Sequence, residues 1–138
     1  MILLLACGAS PSEPLLCLPQ ECVVFEAREA ARDGESEQAF ELCSTLNGAW
    51  EDECWFLAAD TLDLTGPEAF EACRMARRYE RQCLGHALTR QAEALFDEGA
   101  TEAEALRVLT EGFARHYPTP RARSEAQRLV EAEVARRE

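Results

Sequence analysis

A five-residue word occurs twice in this chain. Ala39-Phe40-Glu41-Leu42-Cys43 returns thirty residues later as Ala69-Phe70-Glu71-Ala72-Cys73, identical at four of five positions. An aromatic and a second cysteine follow each copy: Trp50 and Cys54, then Tyr79 and Cys83, at an offset of 29. Each second cysteine opens a helix-like run. The stretch Glu21 to Ala27 matches that second half, which makes Cys17 and Cys22 a truncated first unit. A period near thirty in helical composition is the sequence form of stacked hairpins, each burying one face against its neighbour. Of the seven cysteines, Cys7 lies outside these units; among the fifteen pairings open to the other six, the units make Cys17–Cys22, Cys43–Cys54 and Cys73–Cys83 the natural one. Each pair spans a helix–helix junction, where Cα atoms must come within about 4.4–6.8 Å. Each bridge contributes on the order of 2–3 kcal/mol, which suits an alanine-rich core that buries little area per residue.

Helix punctuation runs through the chain, and strand signals are nearly missing. The pattern predicts a helix from Pro19 to Asp33-Gly34, and another from Ser36 as N-cap to about Leu46. Asn47-Gly48 reads as a turn, followed by a helix over about 51–64. Gly66 fits the left-handed slot that ends it, and Pro67 opens the next helix, to about Arg78. A longer helix follows over 79–98. Thr101 and Glu104 form a capping box. The last helix starts at Thr119 as cap with Pro120 behind it and ends near Arg136. The expected fold class is all-α, six to seven helices in antiparallel, disulfide-stapled hairpins. Residues 17–138 form one domain, with disulfide hairpins over 17–98 and the C-terminal helices over 101–137.

Composition removes several functions. All 14 basic residues are arginine, so no lysine is present for a phosphate loop, a Schiff base or a general base. With 26 acids the net charge is −12, and a nucleic-acid backbone is not an expected partner. The charge is one-sided: residues 1–70 hold fourteen acids and two arginines, whereas residues 71–138 hold twelve of each. The acidic half reads first as a solvated face that keeps the protein soluble, and otherwise as a surface that repels anions and attracts a cationic partner.

The run Leu4-Leu5-Ala6-Cys7 resembles a bacterial lipobox, with an apolar residue at −3, a small residue at −1 and then the cysteine. The resemblance implies diacylglyceryl transfer to Cys7 and cleavage before it. Residues 1–6 then read as a truncated signal peptide and residues 7–16 as a tether. Gly8, where some lipoproteins carry Asp, is similar to those sorted to the outer membrane. Lipid at Cys7 is thus the expected membrane attachment, with no spanning helix. The hairpins themselves resemble tetratricopeptide-like and Sel1-like α-hairpin repeats of the cysteine-rich secreted kind, over about residues 17–98. Trp55-Phe56-Leu57-Ala58-Ala59 is similar to the aromatic–aliphatic–Ala-Ala stretch of such repeats. The spacing is shorter than usual and the glycine pattern of Sel1 units is absent. The resemblance implies a scaffold for protein interaction.

No residue set announces a reaction. G-x-S-x-G, H-E-x-x-H and glycine-rich phosphate loops are missing. Cys83 and His86, three apart on one helical turn, are the candidate metal ligands of a rival reading, a small metal-binding module; an envelope-associated enzyme is the other rival. His116 reads as a charge at a helix C-terminus. Trp50 and Trp55, which flank Cys54, read as a cover for the disulfide, or as interface residues where one is exposed; the other interface candidates are Arg74, Arg77, Arg78 and Arg81. Those arginines stand at i, i+3, i+4 and i+7 and form one stripe if the helix continues past Arg78, either as a docking patch or as a solvated face paired with Glu71 and Glu80. The resulting expectation is a lipid-anchored, non-enzymatic scaffold at the outer membrane, without cofactor, that binds an unidentified protein partner.

Overall fold

The structure is a computed structural model, and it describes residues 17–138. Cys7 and the segments 1–6 and 7–16 lie outside the described residues. Within them the chain forms seven α-helices: α1 (Pro19–Arg32), α2 (Ser36–Cys43), α3 (Gly48–Thr61), α4 (Gly66–Met75), α5 (Glu80–Asp97), α6 (Glu102–Phe113) and α7 (Thr119–Arg137). A 3-10 turn, Arg77–Tyr79, joins α4 to α5. Helices adjacent in sequence pack as hairpins, and α3 also touches α1 and α5. The fold is therefore all-α and built from helical hairpins.

The cysteine units pair as the repeat predicts. Cys17–Cys22, Cys43–Cys54 and Cys73–Cys83 are disulfides with Cα separations of 5.7, 5.4 and 5.3 Å. The last two sit at equivalent junctions, α2 to α3 and α4 to α5, and all four of their cysteines are buried.

Two cores result. The first gathers alanines of α1 to α4 around Cys43, Cys54, Cys73 and Trp55. Small side chains let these helices approach closely enough for the sulfurs to meet. The second core is conventional, with Phe70, Leu84, Leu88, Leu109, Phe113 and Val130 drawn from α4 to α7. Here Gly112 gives α6 its close approach: a Cβ at that position would stand 2.7 Å from Leu88 Cδ2 and 3.3 Å from Phe70 Cζ. This second core thus holds the larger fully buried aliphatic side chains, Leu84, Leu88 and Leu109.

Helix ends refine the sequence reading. The capping box at Thr101 and Glu104 is present in both directions. Ser36 is the first residue of α2 and not its cap, a place taken by Glu35. Thr119 likewise begins α7 behind Pro118. Gly66 is left-handed as expected, at φ +68°, but it begins α4, and the slot that ends α3 is taken by Asp63, at φ +53°. There Leu64 N–H donates to Ala59 O at 3.2 Å. The same closing bond runs from Glu35 to Ala30 and from Ala100 to Leu95, behind Gly34 and Gly99. Three helices end alike, and one does so with an aspartate where glycine costs least.

Candidate interaction groove

The arginines expected as one stripe are divided by the chain itself. α4 stops at Met75, and Arg77 has φ +39°. The helix cannot run on because Cys73 and Cys83 must meet across a turn of ten residues. Arg77 and Arg78 instead reach back to α3. Arg77 Nε donates to Asp52 Oδ1 at 2.6 Å, Arg77 Nη2 to Glu51 Oε1 at 2.7 Å, and Arg78 Nε to Asp52 Oδ2 at 3.0 Å. The hydrogen bond to Asp52, reinforced by the charges of Asp52 and Glu51 against a smaller cost of burial, holds the Arg77 guanidinium above its ordinary pKa. Arg81 turns the other way, 5.9 Å from the centre of the Tyr117 ring. Arg74 stays exposed at the end of α4. The expected pairing of this stripe with Glu71 and Glu80 is not found among the described residues; Glu80 instead holds His116, Oε1 to Nδ1, at 2.7 Å. The patch is therefore two separate sites, one of which fastens the junction to α3.

The metal pair fails for a chemical reason. Cys83 is bonded to Cys73 and has no thiolate to offer. His86 Nδ1 lies 3.0 Å from Asp60 Oδ1, beside Arg90, whose Nη1 donates to the same oxygen at 2.8 Å. No cluster of three His, Cys, Asp or Glu side chains able to hold a metal exists among the described residues. His116 lies in the turn after α6 and faces Glu80 in a small cleft with Arg81 and Tyr117. No hydroxyl or thiol nucleophile of Ser, Thr or Cys lines that cleft.

The two tryptophans part company. Trp50 is half-buried against the first core. Trp55 is buried, 8% exposed, and lies beneath a groove of about 420 Å³ between α2 and α4. Phe40 of α2 stacks on it, with ring centres 4.8 Å apart and planes 15° from parallel. Met75 at the end of α4 stands 39% exposed on the other side. Ser36, Phe40 and Ser44 line one wall at helical spacing; Glu68, Glu71 and Met75 line the other. The indole Nε1–H of Trp55 is buried and meets no protein acceptor among the described residues. Of its lining, the sequence singled out Trp55, whose burial fits a cover for the Cys43–Cys54 bridge, and not Phe40, Met75, Glu68 and Glu71. The repeated Ala-Phe-Glu word held the missing signal, since it places Phe40 one helical turn ahead of the cysteine junction.

Comparison with protein families, curated proteins and solved structures gives no match for this chain. Among the described residues no helix is long and apolar enough to cross a membrane. The geometry therefore has to carry the functional reading alone.

Proposed function

We propose that this chain is a disulfide-stapled helical scaffold that binds another protein through the α2–α4 groove, outside the reducing cytoplasm and tethered to the outer membrane by lipid at Cys7. The observation that carries the reading is the groove itself. Phe40, Trp55 and Met75 form an apolar strip between α2 and α4, each fixed at its C-terminal end by a bridge. A preformed apolar strip with polar edges is what a binding surface needs, and rigidity lowers the entropy cost of occupying it. Three bridges among the described residues favour an oxidising compartment. The lipobox-like run supports the anchor, and the hairpin architecture agrees with the tetratricopeptide-like resemblance.

A photo-crosslinking amino acid at position 75, in cells that make the protein, tests the docking role. A discrete adduct from position 75, absent when the crosslinker sits at position 128 on α7, is the expected result. Adducts equal at both positions, or none at 75, overturn it. Fatty-acid labelling tests the anchor separately: incorporation that survives Cys7→Ser removes it.

A further inference from the structure

Resting on that docking reading, we propose that the groove takes a cationic peptide segment, one apolar side chain seated between Phe40 and Met75 and flanking Arg or Lys residues on Glu68 and Glu71. Two observations converge on this occupant. The first is size. About 420 Å³ lies near the lower end of ligand sites, about 300–1,000 Å³, and suits one or two side chains. The second is charge. Glu68 and Glu71 stand on one wall, and among the described residues no arginine pairs with either. The surrounding chain deepens the field: residues 19–75 hold fourteen acids against Arg28, Arg32 and Arg74. An anionic segment, a phosphate backbone or an anionic lipid surface is repelled here, whereas a cation is drawn in.

Two fluorescent dodecapeptides test this on the oxidised full chain by anisotropy. Both carry a central Leu; one flanks it with Arg and the other with Glu. The Arg peptide binds, the Glu peptide does not, and binding weakens about tenfold as salt rises to several hundred millimolar. Glu68→Lys with Glu71→Lys reverses the preference, and Met75→Ser weakens the Arg peptide about tenfold. All three positions are exposed, and thermal melts by circular dichroism verify that the variants fold. Equal binding of both peptides, or binding unaffected by the charge reversal, overturns the proposal. If neither peptide binds while the position-75 adduct persists, the cationic occupant is wrong and the docking role stands. If that adduct is absent as well, both fall. An adduct at position 75 that proves to be a second copy of this chain also overturns the peptide.

Discussion

Arg77 Nε and Asp52 Oδ1 lie 2.6 Å apart although 25 residues separate them in the chain. Asp52 is among the few charged side chains in the interior, 4% exposed, and its other oxygen takes Arg78 Nε. The two arginines are more than half exposed, so solvent screens their side of the contact. The carboxylate is therefore the member that depends on the contact. Asp52→Asn should lower unfolding stability by about 1–2 kcal/mol in urea titrations. Arg78→Ala should cost less, because Arg77 still holds Asp52. A larger loss from Arg78→Ala than from Asp52→Asn contradicts this ranking.

The backbone at Arg77 makes a second prediction. Its left-handed φ is one that glycine adopts freely and alanine does not. Both Arg77→Gly and Arg77→Ala remove the guanidinium, so their difference isolates the backbone. The glycine variant should be the more stable, by denaturant midpoint. Equal midpoints, or a more stable alanine variant, show that the conformation carries no cost.

Bridges at equivalent junctions should contribute equally. Removing Cys43–Cys54 or Cys73–Cys83 by paired Cys→Ala substitutions should cost about 3 kcal/mol each, and removing the shorter Cys17–Cys22 loop about 2 kcal/mol. Guanidinium unfolding of the three double variants measures this. A Cys17–Cys22 loss larger than the others is incompatible with stabilisation through loop closure.

Two helical glycines should respond with opposite signs. At Gly85 on α5 no neighbouring atom lies within 4 Å of the place a Cβ would take, so Gly85→Ala should stabilise by about 0.5–1 kcal/mol through helix propensity. At Gly112 the Cβ meets buried Leu88, and Gly112→Ala should destabilise by about 1–2 kcal/mol despite the same propensity gain. Melting temperatures of the pair decide it; two shifts in the same direction contradict the packing described at α6.

The repeat made the disulfides legible because covalent pairing is local: the partner of each cysteine lies within its own unit. The arginine stripe was misread because a helical wheel assumes one continuous helix. The offset of 29 already held the correction, since it sets Arg77 opposite Gly48, and both have left-handed backbones, φ +39° and φ +60°. The groove was legible only in Trp55. Phe40 and Phe70 occupy the same place in the repeated word, yet Phe70 is buried beside α6 with Arg115 over its ring at 4.7 Å, whereas Phe40 borders the groove. Repeat position fixes the register of a side chain; what covers it depends on the next helix along, which the word does not encode.

The bridges join residues 5, 11 and 10 positions apart, and none reaches from one hairpin to another. In an oxidising compartment these six cysteines can thus be joined in chain order, each with the next one along. With Cys7 taken by lipid, as proposed above, an oxidase that joins consecutive cysteines makes the native bonds, and proofreading by an isomerase has little left to correct.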